Sequence, residues 1–181
     1  GKNLGAYGEG GALTTNDDEV AKLARALRSH GETTRYLHKY VGYNYRMDGI
    51  QAAVLNVKLR HLDEWTSKRQ RFSALYRETL ADTRVTLPED SPEAECVYHL
   101  FVAYVAGSRD EVRKDLEERG VQTAVHYPRP VHLQQAFAEF GYKEGSLPHT
   151  EWACQTVMSM PLYPEIVKYA ASCLAEIAGN S

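Results

Sequence analysis

The chain has 181 residues, 43% of them hydrophobic, and a formal charge of -3 at pH 7, enough to bury one substantial core, or one small domain plus part of another. The weak negative charge gives no long-range attraction for nucleic acid, and no like-charge run is long enough for a polyelectrolyte tail, so no nucleic-acid partner is expected. No apolar run approaches the roughly 18 residues of a membrane span and no signal-peptide pattern opens the chain, while the widely spaced Cys96, Cys154 and Cys173 point to free thiols and a cytoplasmic protein.

Gly11 to Thr15 reads as a short extended run, and Asn16, with Glu19 three residues on, reads as the N-cap of a helix. Val20, Leu23, Ala24 and Leu27 then repeat at i, i+3, i+4 and i+7, one apolar stripe that Gly31 is placed to stop. From Glu32 to Tyr45 the chain is polar and aromatic without a period, and an ordered loop is expected. Its tyrosines, Tyr36, Tyr40, Tyr43 and Tyr45, suit either stacking on a ligand ring or burial between two subunits, and the second fits the enrichment of Tyr at interfaces.

Asp48 to Leu80 carries the longest helical signal, with no proline and no glycine beyond Gly49. Ile50, Val54 and Val57 form one apolar row and Leu55, Leu59 and Leu62 a second, so burial on two sides is expected. The polar run Thr66 to Arg71 marks the candidate domain boundary. After a Pro- and acid-rich connection from Pro88 to Glu95, Val97 to Val105 reads as a strand. A helix follows, with Ser108 and Glu111 as a capping box and Gly120 as its stop, and then a second strand from Val121 to Tyr127. The remainder predicts a short helix near Gln134 to Phe140, another from about His149 to Val157, a Pro-bounded run at Met158 to Tyr163 and a closing helix from Pro164 to Ala178.

The chemically suggestive segment is Gly1-Lys2-Asn3-Leu4-Gly5-Ala6-Tyr7-Gly8-Glu9-Gly10-Gly11-Ala12. An arbitrary lysine near a terminus is solvated. One used as an amine nucleophile must be held neutral to attack a carbonyl, and small flanking residues leave room for a bulky cofactor. The glycines match neither phosphate-binding pattern, because no Gly precedes a Lys-Ser or Lys-Thr pair and Leu13 stands where a dinucleotide fingerprint from Gly8 needs its third glycine. His126 and His132 lack an HExxH pattern and finger-type cysteines, and two prolines separate them, which disfavours a metal site.

Taken with Thr15-Asn16, the Lys2 segment resembles the cofactor-lysine region of the DegT/DnrJ/EryC1/StrS family of sugar aminotransferases. Gly42-Tyr43-Asn44-Tyr45-Arg46-Met47-Asp48 leading into Ile50-Gln51-Ala52-Ala53 is similar to a second block of that family, continued by Lys58-Leu59 and Leu62-Asp63-Glu64-Trp65. His126 to Gln134 resembles its C-terminal active-site stretch, and Leu162-Tyr163-Pro164 sits where a similar tripeptide is common. The blocks run nearly end to end and in the family's order.

The resemblance implies an α/β chain, the C-terminal part of an aspartate-aminotransferase-like (fold type I) transferase that uses pyridoxal 5'-phosphate. Residues 1–68 would be the remnant of the large cofactor domain with its connecting helix, and 69–181 a small α/β C-terminal domain. Lys2 is implied to bind the cofactor as a Schiff base and to move the substrate proton. Asn44 is implied to donate to the cofactor phosphate, usually across a homodimer interface, and Arg46 to assist at phosphate or substrate; an amide and a guanidinium are both suitable donors. His126 and Tyr127 are implied at the mouth of the site, where they contact a nucleotide-linked keto sugar, with packing and a satisfied backbone group as the open alternative. Glutamate is the implied amino donor. The related sugar dehydratases use histidine where Lys2 stands.

The family's partner for the ring nitrogen, its ring-stacking residue and several phosphate donors precede the lysine, and here only Gly1 does. The chain is therefore expected to be a fragment that is not fully active alone and binds cofactor weakly; the alternative is a non-catalytic dimerisation or interaction module of a degraded relative.

Overall fold

The computed structural model describes residues 2–105, 107 and 109–179, in two compact units, Gly1–Asp63 and Glu64–Ser181. In the first, helix α1 (Asp18–Arg28) is capped by Asp17, whose carboxylate accepts from the Glu19 and Val20 amides, in place of the expected Asn16. Thr15 Oγ1 accepts from the Asp17 amide at 3.0 Å, which presents Asp17 rather than Asn16 to the helix. The apolar stripe is present but largely uncovered, with Val20 and Leu23 each exposed and Ala26 the buried apolar residue of α1. Gly11 to Thr15 has no ladder partner among the described residues, so the expected extended run is not a strand.

The expected loop after α1 contains a hairpin, β1 (Glu32–Thr34) against β2 (Leu37–His38), paired Glu32 to His38 and Thr34 to Leu37. Its two-residue turn places Tyr36 at φ 66°, a left-handed conformation that usually announces itself as Gly or Asn, which is why the sequence reads as a loop. The expected single long helix is two, α2 (Gly49–Leu59) and α3 (Leu62–Leu80). The break is built by short-range bonds, Arg60 N–H to the Val57 carbonyl and His61 N–H to the Lys58 carbonyl, where i→i-3 bonds replace the α ladder.

The second unit holds the core. α3 turns Ser73, Tyr76 and Leu80 inward, at i, i+3 and i+7, and Tyr76 stacks on Phe101 at 4.4 Å between ring centroids. β3 (Phe101–Tyr104) pairs antiparallel with β4 (Val157–Met160), Phe101 opposite Met160 and Tyr104 opposite Val157. Single bridges extend this pair on both sides, Thr86 to Tyr104 and Ala124 to Ser159. β4 is therefore central, and all four of its residues are buried. α4 (Arg109–Glu118) contributes Val112 and Leu116, and α6 (Val167–Ala178) contributes Val167, Ala170, Ala171, Cys173, Leu174 and Ala178. Burying each large apolar side chain of this set is worth about 1.5–3 kcal/mol.

Two expected strands change here. The one read from Val97 starts only at Phe101, because Arg69 Nη1 donates to the Tyr98 and His99 carbonyls at 3.2 and 3.3 Å and takes them out of any ladder. The one read from Val121 to Tyr127 shrinks to the Ala124 bridge, while the Met158 run, read only as Pro-bounded, supplies β4. The Gln134 helix is a 3-10 turn (Gln135–Phe140) preceded by another (Val131–Leu133), and α5 (Pro148–Thr156) matches its expected span to within a residue. The proposed cap Ser108 lies outside the described residues; Gly120, at φ 78°, ends α4 as expected.

Candidate functional site

Lys2 is exposed at the head of the glycine-rich loop, and α2 holds that loop from one face. Gln51 Oε1 accepts from the Tyr7 amide at 2.8 Å, and Lys58 Nζ donates to the Gly5 carbonyl while lying 5.5 Å from the Tyr7 ring centroid. Residues 51 and 58 are seven apart and so share a helix face. The approach is tight: a Cβ on Gly8 would sit 3.0 Å from Gln51 Nε2. Gly8 thus allows close packing against α2, whose Gln51 and Lys58 fix the loop that bears Lys2.

Asn44 and Arg46 lie on the segment after the hairpin. Its backbone is bonded to the end of α1, with Tyr43 N–H donating to the Leu27 carbonyl at 2.8 Å and Tyr45 N–H to the Arg28 carbonyl at 2.9 Å. Asn44 bridges to Ser29, and its own side chain is left exposed. Tyr43 and Tyr45 stack on each other at 5.0 Å. Asn44 and Arg46 line a cavity of about 1140 Å³ together with Arg25, Arg28 and the backbone of Gly10 and Gly11. Lys2 is not among the residues that line it. An amide and three guanidiniums outweigh the one carboxylate, Glu9, that lines the same cavity, a set that suits a phosphate or another polyanion, and a primary amine on the adjoining loop suits attachment of a carbonyl cofactor. The donor set fits a phosphorylated aldehyde.

His126 and Tyr127 belong to the second unit. His126 Nδ1 is 2.9 Å from Ser159 Oγ, and the Tyr127 ring meets the imidazole edge-on at 5.5 Å. Tyr127 is 69% exposed, so the outer face of this pair is open to a ligand. Further along the same stretch, His132 Nε2 is 3.0 Å from Glu151 Oε1. The Glu151 carboxylate also accepts from the Gly145 and Leu147 amides. The Gly145 N–H first, then His132 and the Leu147 N–H, hold its pKa below the ordinary carboxylate range against a smaller opposing effect of burial. Among the described residues no group of His, Cys, Asp and Glu is placed to hold a metal ion, Cys96, Cys154 and Cys173 are free, and no helix is long and apolar enough to cross a membrane.

Sequence reasoning singled out Lys2, Asn44, Arg46, His126 and Tyr127 as candidates but assigned no role to Gln51, Lys58, Ser159 or Glu151. A signal existed for the first two, polar residues seven apart, and so on one face, in a helix whose other polar side chain is Asn56. None existed for Ser159, which sits in an apolar strand.

Residues 1–176 match the DegT/DnrJ/EryC1/StrS aminotransferase family. A Geobacillus stearothermophilus protein named "Pleiotropic regulatory protein" is 46% identical over 167 residues, covering 91% of this chain and 45% of the relative. The dTDP-3-amino-3,4,6-trideoxy-alpha-D-glucose transaminase of Streptomyces venezuelae is 43% identical over 167 residues, covering 92% and 44%. The crystal structure of S. venezuelae DesV in complex with a ketimine intermediate superposes with a TM-score of 0.93 at 39% identity, covering 99% of this chain and 49% of that one. The chain therefore spans about half the length of the relatives it matches. With the match running from its first residue to nearly its last, the chain belongs to the DegT/DnrJ/EryC1/StrS aminotransferase family.

Proposed function

We propose that the chain contributes the cofactor lysine and part of the substrate site to an enzyme that transfers an amino group, with glutamate as donor, to the keto carbon of a nucleotide-linked sugar. The observation that carries this is the family match around Lys2, on a glycine-rich loop held against α2 by Gln51 and Lys58. The substrate class comes from relatives whose names specify dTDP- and UDP-linked amino sugars. Pyridoxal phosphate, the cofactor of this family, supplies an electron-withdrawing ring when bound. Lys2 Nζ is the group that attaches it and carries the proton between substrate carbon and cofactor. Asn44 and Arg46 hold the phosphate, and His126 with Tyr127 orients the sugar.

A homodimer whose partner presents Asn44 to the opposite site agrees with two features: the cavity bearing Asn44 does not include Lys2, and much of the apolar surface of the first unit is uncovered. Residues 1–68 then act as the cofactor-domain portion with its connecting helix and 69–181 as the small domain. Three free thiols suit a reducing compartment such as the cytoplasm.

The test is spectroscopic, on the product of the complete reading frame. Addition of pyridoxal phosphate produces a visible absorbance band that Lys2→Ala abolishes; an unchanged band removes Lys2 from the mechanism. A stable dimer that transfers no amino group to any keto sugar would instead assign the chain to an interaction module.

A further inference from the structure

We propose that Ser159 is a positioning residue that fixes the tautomer of His126, so that His126 meets the ligand through an Nε2–H donor and not through a basic lone pair. The inference rests on the reading of His126 as a substrate contact, and its physical ground is hydrogen-bond bookkeeping around one buried hydroxyl.

Ser159 is 4% exposed at the centre of the sheet. Its backbone exchanges both hydrogen bonds with Ala124, the Ser159 amide donating to the Ala124 carbonyl at 2.7 Å and the Ala124 amide to the Ser159 carbonyl at 3.1 Å. Across the other edge it stands opposite Val102. The strand is therefore pinned on both sides, and its side chain points at the residue two beyond Ala124, His126. The distance from Ser159 Oγ to His126 Nδ1 is 2.9 Å, and no other described group hydrogen-bonds to that hydroxyl.

A serine hydroxyl has one hydrogen to donate, and a neutral imidazole has one donor and one acceptor nitrogen. If Nδ1 carried the proton it would donate to Oγ, leaving the hydroxyl hydrogen of a residue only 4% exposed without an acceptor among the described groups, and an unsatisfied buried donor is costly. If instead Oγ–H donates to Nδ1, both groups are satisfied and the ring proton sits on Nε2. That arrangement turns an N–H outward, where it suits an oxygen acceptor of the nucleotide-linked sugar, either a hydroxyl or a phosphate oxygen. The single in-plane lone pair of the neutral ring, on Nδ1, is then engaged by the Ser159 hydroxyl, so the ring meets its ligand as a donor. The Tyr127 ring, edge-on at 5.5 Å, braces the imidazole from a second direction.

The experiment reads the ring directly. In protein labelled with nitrogen-15 at histidine, long-range proton–nitrogen correlation spectra distinguish the two tautomers; His126→Gln assigns the signals, since that variant lacks them. The expected result is a single Nε2–H pattern for His126 in the wild type, a mixture of tautomers in Ser159→Ala, and recovery of the single pattern in Ser159→Thr, which keeps the hydroxyl. Ser159→Ala leaves the backbone bonds of β4 in place, and its amide spectrum reports whether the fold is retained. An Nδ1–H pattern in the wild type, or an unaltered pattern in a folded Ser159→Ala protein, overturns the assignment. In the kinetic arm, Ser159→Ala raises KM for the keto sugar about three- to tenfold with kcat within about twofold, the signature of a lost binding contact; an unchanged KM alongside an altered tautomer overturns the ligand contact. Absence of any amino transfer by the wild type would reject the aminotransferase reading, while the ring spectra still decide Ser159.

Discussion

Gly31 and Gly42 cross so closely that a Cβ on Gly42 would stand 2.2 Å from the Gly31 amide nitrogen, and one on Gly31 would stand 1.8 Å from the Tyr40 carbonyl oxygen. This crossing brings the segment after the hairpin against the end of α1, where Tyr43 and Tyr45 bond to the Leu27 and Arg28 carbonyls. Asn44, between them, is thereby held at the cavity wall by its neighbours' backbone.

Gly42→Ala is expected to separate the two backbones and destabilise the first unit by about 2–4 kcal/mol, in the range of severe packing changes. Equilibrium urea denaturation measures the loss. Weakened retention of pyridoxal phosphate should accompany it, because Asn44 moves with the segment.

Gln51→Ala and Lys58→Met each remove one tie between α2 and the glycine-rich loop. Each should weaken cofactor binding about three- to tenfold, the usual value of a single hydrogen bond, with Lys2 itself intact. Titration of the visible cofactor band is the measurement, and a wild-type dissociation constant in both variants would show that the ties are dispensable.

Glu151 is held below the ordinary carboxylate range, so its contribution to stability is fully present above the unfolded-state value near about pH 4 and is lost as the pH falls through the lower folded value. Glu151→Gln is therefore expected to melt below the wild type at pH 7, with the gap narrowing in melts taken below about pH 4. A gap independent of pH would mean that the carboxylate charge is immaterial.

Tyr76 separates packing from hydrogen bonding. Its ring is fully buried against Phe101 and its hydroxyl donates to the Pro161 carbonyl at 2.8 Å; burial first, then the charge of Tyr163, pushes the phenol pKa far up. Tyr76→Phe should cost about 1 kcal/mol and Tyr76→Ala about 3–5 kcal/mol, measured by denaturant titration. Equal losses in the two variants would place the whole contribution in the hydroxyl.

Local signals in the sequence were strong where a helix makes its own bonds. The spacing of Val20, Leu23 and Leu27 located α1, and Gly120 located the end of α4. They failed where a distant group decided the backbone. Arg69 shortens β3 by binding the Tyr98 and His99 carbonyls from 29 and 30 residues away, and Tyr36 turns a hairpin in a conformation its residue type does not advertise. The candidate residues divide the same way. Lys2, Asn44 and His126 carry motif chemistry and stood out, whereas Gln51 acts on Tyr7 from 44 residues away and Ser159 on His126 from 33, relationships that no local pattern encodes.

The buried side chains are distributed very unevenly. Among the described residues Ala26 is the buried hydrophobic one of the first unit, while Tyr76, Leu116, Met158 and Leu174 anchor a dense cluster in the second. Backbone protection against solvent deuterium follows such differences, because an amide exchanges through whatever opening costs least. In this chain the amides of β3, β4 and α6 should exchange hours after those of α1 and α2, so the clock of hydrogen exchange would divide the polypeptide near Asp63 and leave the lysine loop on the fast side.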